Sequence, residues 1–364
     1  MFNKKKIAFI IPSLSPGGAE RVVVLLANEF VVNFDVFLIV LYKTDTIYSV
    51  NEKVNLIYLQ EKYTPSSSFF QAGINNLSYL KKIIKIIKIN HINILISFTT
   101  SVNIIAVISS FFIKIPTLIS ERNNPEVYVP NTFWRILRNF CYPFTNGLIV
   151  QTELIKGFYQ KTIQENKIKI IPNPIDEIML SARKDYSERE NVILTVGRLD
   201  ANKNQRLLIE AFANLNNGNW KLVIAGDGVL REEYEKLTAS LGIADKIEFI
   251  GNVQNVWDYY NQAKIFAFTS NSEGFPNALL EAMSFGLPCI STDCPSGPSE
   301  IITNDENGYL IEVNNRKQLE DRLSKLINNP AICDQFSQNA ISTTCKFNMV
   351  EVKKLWEFQI QNFL

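Results

Sequence analysis

Short apolar runs alternate with amphipathic stretches from one end of the chain to the other. In the first half the runs cover residues 7–11, 36–41, 54–59, 94–98, 117–120 and 147–150. Runs this short and nearly all apolar suit parallel strands covered on both faces. Between them lie segments of helical periodicity, such as 19–30 and 77–89. The pattern breaks over 171–190, where Pro172 and Pro174 precede a polar, charged stretch at 183–190. A break of that composition predicts a hinge between domains. The alternation then restarts, with strands at 192–196, 221–225, 247–250, 265–269 and 289–291 and helices at 205–215, 230–241 and 276–285. The last stretch, 350–363, is helical. Strand–helix alternation implies doubly wound parallel sheets. The expected class is α/β, with two Rossmann-like domains at 1–172 and 173–350 whose parallel sheets face each other across a cleft. Residues 351–364 are expected to form a helix that packs back on the N-terminal domain.

Size and composition agree with that division. A chain of 364 residues exceeds what one core usually holds. At 46% hydrophobic and 20% charged residues it is globular, neither disordered nor fibrous. Lys4, Lys5 and Lys6 precede the first apolar run, but 7–11 is too short for a signal peptide or a span, and no later segment reaches about 18 apolar residues. Five cysteines in no C-x-x-C spacing predict free thiols in a reducing cytoplasm. The net charge of +1 hides an asymmetry: residues 1–172 hold 19 Lys and Arg against 10 Asp and Glu, and residues 173–364 hold 18 against 26. A basic first half fits an anionic partner such as a phospholipid or a lipid diphosphate, and fits equally a drift in surface charge between domains.

Chemistry-bearing residues gather where strands end. The strand at 192–196 opens into Gly197-Arg198-Leu199-Asp200 and then Lys203. In open α/β sheets ligands bind beyond the carboxyl ends of strands. An Arg fork and a Lys point charge there suit a diphosphate, although alone they read equally as two surface cations. After the strand at 265–269 comes Glu273-Gly274-Phe275-Pro276-Asn277-Ala278-Leu279-Leu280-Glu281. Pro276 suits the first position of a helix, whose free N–H groups at Asn277, Ala278 and Leu279 would face an anion. Glu281 can accept from two ribose hydroxyls, and Glu273 can reach the hydroxyls of a sugar. Either acid alone also reads as a capping or exposed helical carboxylate. Near the N-terminus, Gly17-Gly18-Ala19-Glu20-Arg21 lets backbone approach a ligand, but it lacks the third glycine and the ribose-binding acid of a dinucleotide fingerprint. Gly226-Asp227-Gly228 reads as a plain turn. No Asp-x-Asp and no His/Cys cluster of ligand spacing occurs, so no metal site is predicted.

Taken in chain order, at 17–21, 197–203, 226–228 and 273–281, these four stretches resemble the GT-B retaining glycosyltransferases of family 4 over essentially the whole chain. Within that family they resemble bacterial N-acetylgalactosaminyltransferases that extend undecaprenyl-diphosphate-linked oligosaccharides. The resemblance implies that Arg198 and Lys203 bind the donor diphosphate and stabilise charge on the leaving UDP, and that Glu273 contacts the donor sugar. It implies a donor frame of Phe275, Pro276, Asn277, Ala278, Leu279 and Glu281, with backbone near Val253 on the base and Gly17 and Gly18 against the diphosphate. The loop at Ser296-Gly297-Pro298-Ser299 resembles a further donor loop. Many relatives carry a histidine after the Ser-Glu that ends a first-domain strand; here Arg122 follows Ser120-Glu121. His91, the single histidine, reads as a structural loop residue.

The resemblance points to a retaining, metal-independent transferase with a UDP-sugar donor, a lipid-linked oligosaccharide acceptor and no cofactor. GalNAc from UDP-GalNAc is the first expectation, with UDP-Gal, UDP-Glc and UDP-GlcNAc open. A UDP-sugar epimerase and a non-catalytic sugar-nucleotide-binding subunit are the rivals; an NAD dehydrogenase lacks its fingerprint. On the predicted helix at 77–90, Lys81, Lys85 and Lys88 share one face opposite several isoleucines. Such a helix can lie on an anionic membrane or simply cover a sheet. With the basic first half, the resemblance implies peripheral attachment to the inner face of the cytoplasmic membrane. No nucleic-acid partner is expected.

Overall fold

The apolar runs form strands because only a sheet covered on both sides hides residues that are apolar at consecutive positions. The structure, a computed structural model, describes residues 4–65, 68–184, 189–215 and 218–364. Part of the expected hinge, 185–188, lies outside them. The chain divides into two compact units, residues 1–173 with 350–364 and residues 174–349.

The first unit holds seven parallel strands: β1 (Lys6–Ile11), β2 (Asp35–Val40), β3 (Asn55–Tyr58), β4 (Ile94–Phe98), β5 (Thr117–Ser120), β6 (Gly147–Val150) and β7 (Ile168–Ile170), in the order β3-β2-β1-β4-β5-β6-β7. Its crossover helices are α1 (Gly18–Phe30), α2 (Phe69–Asn90), α3 (Thr100–Ile113), α4 (Thr132–Cys141) and α5 (Glu153–Tyr159). Side chains alternate across the sheet. Ile7, Phe9 and Ile11 share one core with α1, whereas Ala8 and Ile10 share another with Tyr79, Ile83 and Ile87 of α2 and Val102 of α3. Ser68 caps α2 through the N–H of Gln71 at 3.2 Å, and His91 ends it in the left-handed region at φ 54°.

The second unit begins with α6 (Glu177–Ser181) and has six parallel strands: β8 (Val192–Val196), β9 (Lys221–Ala225), β10 (Ile247–Gly251), β11 (Ile265–Phe268), β12 (Cys289–Thr292) and β13 (Tyr309–Ile311), in the order β10-β9-β8-β11-β12-β13. Its helices continue with α7 (Gln205–Asn214), α8 (Arg231–Ser240), α9 (Val256–Gln262), α10 (Asn277–Ser284), α11 (Pro298–Ile301), α12 (Arg316–Ile327) and α13 (Pro330–Thr344). In α14 (Met349–Gln361) the chain returns to the first unit. There Trp356, fully buried, stacks on Phe98 with ring centroids 5.9 Å apart and an interplanar angle of 27°.

In each sheet the strand order reverses beside its first strand, between β1 and β4 and between β8 and β11. That reversal opens a crevice at the carboxyl edge, where the two flanking loops diverge. Among the described residues no helix is long and apolar enough to cross a membrane, and no disulfide pairs the five cysteines.

Candidate functional site

At the carboxyl edge of the second sheet, the loops leaving β8 and β11 flank the strand-order reversal. The first carries Arg198, Asp200 and Lys203; the second carries Glu273. Asp200 folds the first loop: its Oδ1 accepts the N–H groups of Asn202 at 3.0 Å and Lys203 at 2.9 Å, and its Oδ2 accepts from Arg198 Nε at 2.7 Å. This is the Asx turn that a short acidic side chain makes with backbone two and three residues on. Asn202 and Asn271 then tie the loops together, through Asn202 Nδ2 to the Ser272 carbonyl at 2.9 Å and the Asn271 N–H to the Asn202 carbonyl at 2.7 Å. Thr269 Oγ1 donates to the Lys203 carbonyl at 3.0 Å.

So held, Lys203 Nζ lies 2.6 Å from Glu273 Oε1 and 5.2 Å from the centre of the Phe268 ring. The pair is largely buried, with side chains 22% and 10% exposed. Cys294 sits beside it; burial pushes its thiol up to about 12, and the Glu273 carboxylate adds to that. Arg198 stands apart, 70% exposed and directed to Asp200.

The segment after Glu273 departs from expectation. Pro276 is not the first helical residue but the cap, at φ −85° and ψ 73°, and α10 starts at Asn277. The Asn277 N–H is turned back to the Phe275 carbonyl at 3.0 Å, so it does not face outward as the sequence suggested. The first helical bond runs from Leu280 N to the Pro276 carbonyl at 3.0 Å. Ala278 and Leu279 therefore provide the first-turn amides that have no acceptor inside the helix. Phe275 is buried, 6.0 Å ring to ring from Phe347. Glu281 is buried one turn into α10, and Tyr260 Oη donates to its Oε2 at 3.1 Å. The loop at 294–298 packs on this segment: Ser296 Oγ donates to the Gly274 carbonyl at 3.1 Å, and a Cβ on Gly297 would lie 2.4 Å from Pro276 Cδ.

The Gly226-Asp227-Gly228 stretch is more than the plain turn expected of it. It runs against the β8 loop so closely that a Cβ on Gly226 would lie 2.1 Å from the Gly197 carbonyl oxygen, and one on Gly228 2.3 Å from that of Leu199. Gly226 is also at φ 129°. The Gly226 N–H donates to the Gly251 carbonyl at 2.8 Å, and Val253 follows in the turn after β10.

In the first unit, Gly17 is extended at φ −174° and exchanges two hydrogen bonds of 2.8 Å with the Tyr48 hydroxyl; α1 starts at Gly18. Arg122 leaves β5 and turns inward. Its guanidinium lies 5.0 Å from the Phe98 ring and 5.7 Å from Trp356, and its Nη1 donates to Asn173 Oδ1 at 2.5 Å. Among the described residues its Nε and Nη2 have no partner, and burial holds it down to about 9. Beside it, Glu121 is buried and accepts from Tyr142, from Thr100 Oγ1 at 3.2 Å and from Asn103 Nδ2 at 3.3 Å; burial raises its carboxyl above the usual range. Lys81, Lys85 and Lys88 are exposed on α2. Among the described residues no group of three or more His, Cys, Asp or Glu is placed to hold a metal.

Sequence reasoning assigned no part to Asp200, Tyr260 or Cys294. Asp200 had a signal, an acid at the start of a polar turn; the other two are positioned by tertiary packing alone.

The profile described as "Glycosyltransferase Family 4" matches residues 16–177, and "Glycosyl transferases group 1" matches residues 179–343. The chain is similar to a Campylobacter jejuni enzyme named GalNAc-alpha-(1->4)-GalNAc-alpha-(1->3)-diNAcBac-PP-undecaprenol alpha-1,4-N-acetyl-D-galactosaminyltransferase. The two are 32% identical over 358 residues, covering 96% of this chain and 97% of that protein. A second protein of that organism, N-acetylgalactosamine-N,N'-diacetylbacillosaminyl-diphospho-undecaprenol 4-alpha-N-acetylgalactosaminyltransferase, is 30% identical over 373 residues, covering 96% and 98%. Among solved structures, Anabaena Alr3699/HepE in complex with UDP superimposes with a TM-score of 0.80 at 17% identity, over 98% of this chain and all of that one. The lipopolysaccharide outer core galactosyltransferase WaaB in its apo form gives 0.78 at 21%, over 99% and 100%.

Proposed function

The chain belongs to the family-4 glycosyltransferases, and from that premise we propose that it moves N-acetylgalactosamine from UDP-GalNAc to a sugar on a polyprenyl diphosphate, with retention of configuration. It is an enzyme of the GT-B type. The observation that carries the donor half is the Lys203–Glu273 contact at the strand-order reversal, a cation and a sugar-reaching acid delivered by two loops to one point.

In this reaction the bond from the donor's anomeric carbon to the β-phosphate oxygen breaks, and an acceptor hydroxyl oxygen bonds to that carbon on the same face. The hydroxyl proton passes to the departing phosphate oxygen. Lys203, a fixed cation in a partly dry site, meets the charge that grows on the diphosphate, and the exposed Arg198 adds to it from the same loop. Glu273 holds sugar hydroxyls, Glu281 holds the ribose, and Tyr260 fixes Glu281. The amides of Ala278 and Leu279 supplement the cations at a helix start. Arg122 stands where many relatives carry a histidine, but its guanidinium is buried against Phe98, Trp356 and Asn173, so it is given no part at the diphosphate. The chain's own cations and amides supply this stabilisation, so no divalent metal is assigned a part.

The first unit takes the acceptor and attaches peripherally to an anionic membrane. Between Glu61 and Glu121 the sequence has no acidic residue, and Lys81, Lys85 and Lys88 project from α2 within that interval. In the same unit, α4 leaves Phe133, Ile136 and Phe140 42%, 62% and 67% exposed, at helical spacing beside Arg135. Apolar side chains flanked by cations suit the headgroup boundary.

The deciding experiment is turnover with UDP-GalNAc and a lipid-linked N-acetylgalactosaminyl acceptor, beside UDP-Gal, UDP-Glc and UDP-GlcNAc. Product only with another UDP-sugar would replace the sugar assignment. Free epimer formed without acceptor would replace the reaction class.

A further inference from the structure

We propose that the carboxyl edge of β1, β2 and β3 carries an aromatic shelf that binds a neutral pyranose of the acceptor glycan. The proposal rests on the transferase reading above and adds to it the place where the acceptor's sugars lie.

Tyrosines converge here from separate elements. Tyr42 follows β2, Tyr63 lies in the loop after β3, and Tyr79 reaches up from α2. The Tyr42 and Tyr63 rings lie 4.8 Å apart, inclined at 47°. Tyr63 is 60% exposed and Tyr42 is half-buried, so a flat apolar ring faces solvent beside a partly covered one. Tyr79 is buried, and its hydroxyl donates to Gln60 Oε1 at 2.8 Å. That bond orients the Gln60 amide and leaves its nitrogen able to donate.

The polar groups around the rings are suited to hydroxyls. Tyr42 is hydrogen-bonded to Ser13, whose hydroxyl also lies 2.9 Å from that of Ser15. Glu20 is close enough to Tyr42 for their charges to interact, and burial raises its carboxyl. A Cβ on Gly17 would lie 2.3 Å from Glu20 Oε2, so this glycine makes room for the carboxyl. A pyranose has an apolar C–H face and a rim of hydroxyls and amides. An exposed ring meets the face, and Ser13, Glu20 and Gln60 meet the rim. A phosphate would find a poorer match, because Glu20 stands inside the cluster.

A pyranose could come from the acceptor or from the donor, and the test separates them. The full chain is titrated with the methyl glycoside of a GalNAc-α-1,4-GalNAc disaccharide, followed by saturation-transfer NMR, and separately with UDP and with UDP-GalNAc. Tyr63→Ala should weaken the glycoside about five- to tenfold, the range of an aromatic stacking contact, and leave UDP and UDP-GalNAc unchanged. Tyr42→Phe, which keeps the ring, should lose less. A glycoside that binds Tyr63→Ala as well as it binds the wild type overturns the shelf, as does a wild type that binds UDP but no glycoside. If Tyr63→Ala weakens UDP-GalNAc and not UDP, the shelf belongs to the donor sugar and the acceptor assignment falls. Glycoside binding without any UDP binding would leave the shelf standing and sink the donor site instead.

Discussion

Lys203 Nζ and Glu273 Oε1, seventy residues apart in sequence, meet at 2.6 Å where the second sheet reverses its strand order. In this contact the acid compensates the cation. A diphosphate must compete for Lys203, and a sugar must take over Glu273.

Unequal effects are therefore expected from the two partners. Lys203→Ala should lower kcat by about 100- to 1000-fold, the scale for losing one charge-stabilising donor. Glu273→Gln should also lower turnover, yet UDP itself should bind it more tightly, because the acid that competes for Lys203 is removed. Calorimetric titration with UDP checks this; weaker UDP binding to Glu273→Gln would show that the acid supports the diphosphate site rather than opposing it.

Two kinds of glycine should respond in opposite directions. Gly226→Ala forces a Cβ to within 2.1 Å of a backbone oxygen at a positive φ. Neither fault relaxes without moving the β8 loop, so a loss of about 3 kcal/mol or more is expected, together with Lys203 activity. Gly73, inside α2, has nothing within 4 Å of an added Cβ. Gly73→Ala should stabilise by about 0.5–1 kcal/mol. Thermal melts of the two variants beside the wild type measure both.

The strands were legible because each is a continuous apolar run, and residues 147–150 and 192–196 coincide with β6 and β8. The three-residue strands β7 and β13 were missed, since so few residues carry no period to read. Glu273 and Lys203 were named from motif position, but their contact depends on loops fixed by Asp200, Asn202 and Asn271, none of which announces a partner. Gly226 looked like a turn because a sequence shows flexibility and not the oxygen that a Cβ would strike. The start of α10 was misjudged for a local reason: Pro276 has ψ 73°, and the Asn277 amide closes on Phe275 instead of opening outward.

Glu121 should make stability depend on pH. Burial raises its carboxyl, opposed by Tyr142, Thr100 and Asn103 as hydrogen-bond donors and by the nearby Arg138. An acid raised by folding is neutral in the folded state at low pH. Its contribution is full below the ordinary glutamate value and is lost as pH rises through the raised one. Glu121→Gln stays neutral throughout. The melting temperature of Glu121→Gln relative to wild type should therefore climb as pH rises above the ordinary glutamate value. A difference that is flat with pH would mean that Glu121 is charged and compensated in place.

Membrane attachment should need both the charge of α2 and the apolar face of α4. Each lysine near an anionic surface is worth about 1 kcal/mol, so Lys81→Glu with Lys85→Glu and Lys88→Glu should cut binding to phosphatidylserine vesicles by on the order of 100-fold or more. That loss should be mimicked in the wild type by high salt, which screens exposed charge. Ile136→Ser with Phe140→Ser removes apolar area instead, so its loss should persist at every salt concentration. Vesicle flotation at two ionic strengths separates the two contributions. If the charge-reversed protein floats as well as the wild type at low salt, the α2 lysines do not hold the membrane, and the acid-free interval between Glu61 and Glu121 has another cause.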